Sequence, residues 1–498
     1  VSGLSLPALA AQTTDSLAAL QAYLAGEQAM REGKMPEAVQ HYEAAVRIDP
    51  QFALGYYRLG LARDRLPGLH RPWWEREVDQ TAARLAARLP VFERELVRTA
   101  AMPNGEALPI LRRLVAGRPS SAEAWYFLGL ALDNESAARG TPNDEAIAAF
   151  TEALRLDPGH HQATRAKAFA VARAGNYSRL TELAEQLAVV SAHDALLARA
   201  YIAFGQEDDH GMTQTLQELA RAPEPLVREA AAAVTTLTRR PDLARPIYRL
   251  LLAPHHPPEV RWLVHTRLAD LAVAEGRWRE AMREIEAADA VLGTRHLGKR
   301  ARLAFLPFSP IGQAEAEGLR RELLTAFATG RSPEGPGRTI PILAYNAGMI
   351  SAARGDSAGV REALTALASL QGTEHAVRLP LLTRSLEAEI AWIAGEPQRV
   401  IALLGNTVDP NSNQRFLMAR ALESVGRADE ALQWYRSYPD LDLNAPNQLG
   451  WRAASLLRIA AIHEGRQEAR AAAEARSEFR RLWRNADPEL QHLVDANR

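Results

Sequence analysis

The chain has 498 residues with 47% hydrophobic and only 6% aromatic side chains, which exceeds one ordinary globular domain and points to several domains or a repeat array. Lys plus Arg (59) and Asp plus Glu (60) cancel to a formal net charge of −1, so the strongly basic field of a nucleic-acid-binding protein is missing, and no nucleic acid partner is expected. With no cysteine, disulfides, thiolate zinc sites and a cysteine nucleophile are excluded. The prevalence of Ala, Leu, Arg and Glu favours helix, because these side chains lose little freedom in a helical turn.

The opening "VSGLSLPALAAQ" contains an Ala8-x-Ala10 pattern like the end of a secretory signal but has no basic stretch ahead of it. Residues 1–18 are therefore read as an extension or linker. In "AYLAGEQAMREGKMPEAVQHYEAAVRIDP" (22–50), two helices are predicted. Ala25, Gly26 and Ala29 let a second helix come close, Gly33 ends the first helix, and Pro36 opens the second, where its missing N–H costs little. Ala38, Tyr42 and Ala45 form an i, i+4, i+7 stripe, and Asp49-Pro50 closes the unit.

The same template returns at 125–158, with Trp125, Leu128, Gly129 and Leu132 on the first helix and Ala146, Phe150, Ala153 and Pro158 on and after the second. Between them, "ALGYYRLGLARD" begins a third copy with Tyr56, Leu59 and Gly60 in register, followed by an irregular "PGLHRPWWEREVDQ". A spacing of this kind, with a period of ~34 residues, is that of the tetratricopeptide repeat. Weaker copies follow, each with Gly at its turn, among them "LADLAVAEGRWREAMREIEAA" and "MARALESVGRADEALQWYRSY", and roughly eight to twelve units are expected.

The expected fold is all-α, a superhelix of antiparallel helix hairpins. It is divided into an N-terminal array (19–250), degenerate repeats (251–328), a Gly/Pro loop (329–341) and a C-terminal array with capping helices (342–498). The seam at 251–261, "LLAPHHPPEVR", and the loop "TGRSPEGPGRTIP" carry the Pro and Gly that interrupt helix.

Longer wording resembles a known family. "TTDSLAALQAYLAGEQAMREGKMPEAVQHYEAAVRIDPQFALGYYRLGLA", "LPVFERELVRTA", "AEAWYFLGLAL" and "FRRLWRNADPELQHLVDAN" are similar to landmarks of the C-terminal repeat region of bacterial, Gemmatimonadota-type serine/threonine protein kinases and related signalling regulators. The resemblance is loose over roughly 200–410. It implies a sensing or docking region in bacterial signal transduction, either in the cytoplasm or on the periplasmic side of a membrane-anchored protein, the anchor lying upstream. None of the kinase signatures is present, neither G-x-G-x-x-G nor H-R-D nor D-F-G, so no kinase activity is implied.

Other motifs read as structure. "GTRHLGKR" (293–300) approaches a phosphate-binding loop, but Arg300 stands where Ser or Thr should hold magnesium and a helix rather than a strand precedes it. His160-His161 and His255-His256 are adjacent, so on a helix they point ~100° apart, and both are read as solvated turns rather than metal ligands. Arg354-Gly355-Asp356 falls on an inter-helix turn. No catalytic residue, cofactor or metal is expected.

The expected site is the concave groove lined by first-helix positions not used in packing. These are Tyr23, Glu27 and Met30, then Tyr126, Leu130 and Asp133, then Thr266 and Asp270, and finally Phe416, Arg420 and Glu423. That aromatic and acidic set suits an extended or helical peptide with apolar anchors and some basic residues. Trp73-Trp74 form a candidate aromatic patch, with core filling as the competing reading. The function expected is a non-catalytic protein-binding scaffold. The alternatives are a fragment of a kinase or transcriptional regulator whose active domain lies upstream, and a self-assembling homo-oligomer or filament.

Overall fold

The computed structural model describes residues 13–497, apart from 33, 65–76, 103, 140, 239, 331–339, 374–378, 406, 408–410 and 438–449. Gly33, Trp73, Trp74, the Ala8-x-Ala10 pattern and most of the 329–341 loop lie outside them. The described residues are helical throughout, without strands, and form an all-α tetratricopeptide-type solenoid of sequence-adjacent helix pairs. None of their helices is long and apolar enough to cross a membrane. They fall into two compact units, residues 1–137 with 142–237, and residues 238–498 with 138–141. That boundary lies ahead of the expected seam at 251–261, which connects two helices inside the second unit.

The first unit begins with α1 (Leu17–Arg31) and α2 (Met35–Ile48), followed by α3 (Ala53–Asp64), α4 (Glu77–Leu85), α5 (Val91–Ala100) and α6 (Asn104–Gly117). Next come α7 (Ala122–Arg139), α8 (Asp144–Leu156), α9 (His161–Arg173), α10 (Tyr177–Val190), α11 (Ala192–Gly205), α12 (Asp209–Leu219) and α13 (Glu224–Thr238). The template residues act as the spacing predicts. A Cβ on Gly26 would come within 2.6 Å of the Tyr42 ring, and one on Gly129 within 2.5 Å of Phe150. Glycine at these positions lets each first helix lie directly on the aromatic of its second helix. Tyr42 and Phe150 are fully buried.

The second unit comprises α14 (Pro241–Leu250), α15 (Pro258–Ala274), α16 (Trp278–Leu292), α17 (Leu297–Phe305), α18 (Gln313–Ala328), α19 (Ile340–Ala352) and α20 (Ser357–Ala368). It continues through α21 (Leu379–Ile393), α22 (Pro397–Leu404), α23 (Ser412–Ser424), α24 (Ala428–Arg436), α25 (Arg452–Gly465), α26 (Ala469–Leu482) and α27 (Gln491–Asp495). Its turns use left-handed glycines, Gly276 (φ 72°), Gly355 (72°), Gly395 (75°) and Gly426 (79°), where a Cβ would strain the backbone. The Arg354-Gly355-Asp356 tripeptide is such a turn. Asp356 caps α20 by accepting from the Ala358 and Gly359 N–H groups, and Arg354 donates to the Ala304 carbonyl.

This unit closes on itself. After α26 the chain returns to the α15–α16 turn, some 209 residues back in sequence, where the Trp483 indole N–H donates to the Ala274 carbonyl at 3.1 Å. The Asp487 N–H donates to the Gly276 carbonyl, and the Asp487 carboxylate accepts from the Arg279 N–H, each at 2.9 Å. Trp483 is 2% exposed and packs edge-on against Phe308 and tilted against Phe479. A Cβ on Gly276 would stand 2.9 Å from Trp483, so the closure needs glycine for contact as well as for its φ. A single continuous apolar cluster runs from Ala269 to Val494.

Truncating a buried aromatic costs about 3–5 kcal/mol, so Trp483→Ala is expected to loosen this closure. Hydrogen exchange should show faster exchange in α15, α16 and α26 with α1–α9 unchanged. Unaltered protection in α15 and α16 would mean that the returning segment is merely a tail.

Candidate partner-binding site

In the first unit, the face expected to line a groove holds a buried charge ladder. The Arg58 guanidinium, from α3, lies 2.8 Å from Glu27 on α1 through Nε and 2.8 Å from Glu123 on α7 through one terminal nitrogen. The Tyr42 hydroxyl donates to Glu27 at 2.7 Å. His160 accepts from the Ala163 N–H through Nδ1, which leaves Nε2 carrying the proton, 3.8 Å from Glu123. His160 is thus a buried helix cap, 8% exposed, and corrects the expectation of a solvated turn. Its position beside Tyr126 (ring centroids 4.8 Å apart) takes it out of water. The His255 and His256 rings lie tilted against each other in a turn, and no described group of three or more His, Cys, Asp or Glu residues could hold a metal ion.

Several expected groove residues are therefore packing residues. Tyr23 is fully buried between Tyr42 and Phe52, and Glu27, Met30 and Tyr126 are buried. Asp133 is half-buried and accepts from Arg173 at 2.6 Å and from Asn143 at 3.1 Å. Leu130 is half-buried beside it. In the second unit, Thr266 is buried and donates to the Leu263 carbonyl at 2.7 Å. Asp270 is buried and pairs with Lys299 at 2.5 Å, an ammonium that burial pulls down to about 8 against the opposing pull of Asp270. The phosphate-loop-like lysine is thereby committed to a structural ion pair between α15 and α17. The physical reason for all these placements is shared. Side chains from the following elements reach back over these positions, Phe52 onto Tyr23, Arg58 onto Glu27 and Lys299 onto Asp270.

A more open patch survives on α21 and α23. The Arg420 guanidinium lies over the Trp392 ring at 4.3 Å, a cation–π contact, and both residues are half-buried. Glu389, one helical turn before Trp392, makes no hydrogen bond or ion pair with another described residue. Burial pushes its carboxyl up to about 7, with the positive charge of Arg420 opposing. At the edges of the patch, the Tyr435 hydroxyl donates to Glu423 at 2.8 Å and Asn413 donates to the Tyr345 hydroxyl at 3.0 Å. Phe416 is buried beneath, against Trp451 and Tyr435. Sequence reading placed Phe416, Arg420 and Glu423 here but missed Glu389 and Trp392. The "AEIAWIAGE" turn signal fixed their helix without fixing its facing neighbour.

A second surface feature is a small cleft, partly open to solvent, where α26 and the residues after it return. It is lined by Arg240, Arg245, Arg277, Arg452, Arg481 and Arg484 against Asp242, Glu275 and Glu478. Nothing in the repeat spacing brings these residues together.

Among comparisons with known proteins, residues 26–66 match the family model described as a TPR repeat. No curated protein matches the chain. Similar solved structures include the Cut9–Hcn1 hetero-tetramer of the APC/C, at 14% identity over 99% of both chains with a TM-score of 0.27. The human IFIT1 dimer with PPP-AAAA is 13% identical over 86% of this chain and 92% of that one, with a TM-score of 0.30. The P58(IPK) TPR domain is 14% identical over 94% and 99%, with a TM-score of 0.19. At these scores no property of those proteins transfers to this chain.

Two outcomes are expected from the charges described above. Removing one partner of a buried ion pair costs about 3–5 kcal/mol, so Arg58→Met should destabilise the first unit by that order, while adding Glu27→Gln and Glu123→Gln should recover more than half. Chemical denaturation of the single and the triple variant measures both. For Glu389, the folded pKa is raised from 4.5 to about 7, so the folded state holds the proton longer than the unfolded one, and stability is lost as pH rises through that window. Glu389→Gln should therefore raise the melting temperature at pH 8 and leave it nearly unchanged at pH 4.

Proposed function

We propose that this chain is a non-catalytic interaction scaffold, the docking region of a bacterial signalling protein, which recruits a protein partner through the exposed face of its first helices. The observation that supports this reading most directly is the Glu389, Trp392 and Arg420 patch, an aromatic face beside a carboxylate that no other described residue pairs. A partner segment with an apolar anchor would meet Trp392, and a basic side chain next to that anchor would pair with Glu389. Glu423 is the remaining half-buried member of the expected groove in this unit and acts as a secondary contact. The tetratricopeptide match over residues 26–66 agrees with a scaffold role.

The test is capture from native lysate with the chain as bait, compared with a Trp392→Ala/Arg420→Ala variant. A partner retained by the original and lost with the variant is the expected result. An identical set of captured proteins would move the contact surface elsewhere. Because Glu389 ionises near pH 7, capture should also strengthen between pH 6 and pH 8, and Glu389→Gln should abolish that dependence.

A further inference from the structure

The cleft in the second unit carries an excess of positive charge that its ion pairs do not consume. Asp242 serves two arginines, Arg240 at 2.8 Å and Arg484 at 3.3 Å. Arg481, exposed on the last turn of α26, makes no ion pair among the described residues. Arg245 is only 6% exposed, and its terminal nitrogens go to Glu275 and Glu280, while its buried Nε has no hydrogen-bond partner. Six guanidiniums line the cleft against three carboxylates, and Glu280 behind the wall leaves an excess of two positive charges.

These charges come from both ends of the closed unit. Arg240, Arg245 and Arg277 lie in or beside α14 and α16 near its start, and Arg452, Arg481 and Arg484 in or beside α25 and α26 near its end. Like charges brought together by closure repel, and a bound anion between them would turn that repulsion into a bridge. Guanidinium groups present planar forks suited to bidentate oxyanion contacts, and a dianion matches the excess better than a single carboxylate does.

We propose that this cleft binds a phosphate monoester, with Arg481 and Arg484 as the accessible contacts and Arg245 as part of the positive wall behind them, and that binding fastens the closing segment to the opening one. This inference is independent of the partner-binding reading. The phosphate could be carried by a small molecule or by a phosphorylated side chain of a peptide, and the chemistry of recognition is the same.

Calorimetric titration of the full chain with AMP and, separately, with a short phosphoserine peptide tests it at low ionic strength. One site per chain is expected for at least one probe, with the dissociation constant raised tenfold or more in Arg481→Ala/Arg484→Ala. Both arginines are exposed, so the variant should fold, and its helical circular dichroism checks this. Arg470→Ala, a highly exposed position on the same helix outside the cleft, should leave the affinity unchanged. Binding of AMP alone identifies a small-molecule site, and binding of the peptide alone a modified partner. No binding of either probe, or equal weakening by Arg470→Ala, would overturn the proposal.

Discussion

A helix hairpin of this kind has more apolar surface than it can cover by folding on itself. Tyr42 fills the space that Gly26 leaves open, yet Tyr23 on the same hairpin is covered by Phe52, at the start of the next one, as well as by Tyr42. Each hairpin is thus held by its neighbours, and the difficulty is passed along the chain to the ends of the array. The second unit resolves it by bringing its own terminus back. Trp483 covers the Gly276 turn, and the closing segment is hydrogen-bonded there through Asp487. Trp483 belongs to the apolar cluster that runs from Ala269 to Val494.

The same close stacking explains where the charges went. Arg58, Glu27 and Glu123 come from three different helices and meet where the first helices press together. A buried ion pair adds little net stability, because desolvation offsets most of the attraction, but a missing partner is costly. Such a ladder therefore penalises any stacking in which the helices are shifted by a turn. Asp270 with Lys299, and Arg245 between Glu275 and Glu280, repeat the arrangement in the second unit. Charged positions that look available on a single helix become part of the interior once a neighbour is in place.

This leaves rather little of the inner face open, which sharpens the functional reading. The Glu389, Trp392 and Arg420 patch keeps an aromatic ring and a carboxylate within reach of solvent. The arginine cleft is a product of closure, since its two sets of guanidiniums lie some 200 residues apart in sequence and are juxtaposed only where the unit meets itself. The two surfaces differ in chemistry: one sets an aromatic ring beside a carboxyl and a guanidinium, and the other gathers six guanidiniums.

What could be read directly from the residues was local. Gly26 with Tyr42, Gly129 with Phe150 and the glycine turns at 276, 355, 395 and 426 each state a short-range requirement. A small residue must face a large one, or the backbone must turn left-handed, and both are legible because the partners lie within one hairpin. From these alone the all-α repeat fold follows. The fate of Tyr23, Glu27, Tyr126, Thr266, Asp270 and Phe416 was not legible, because burial depends on how closely the next hairpin approaches. Helical periodicity identifies which side of a helix a residue occupies but leaves open whether that side meets water or protein. Closure by Trp483, the Arg58 ladder and the arginine cleft rest on contacts between residues as far as 31 to 242 positions apart. Tertiary structure alone decided them, since no spacing rule connects side chains whose separation is set by the accumulated geometry of many stacked helices.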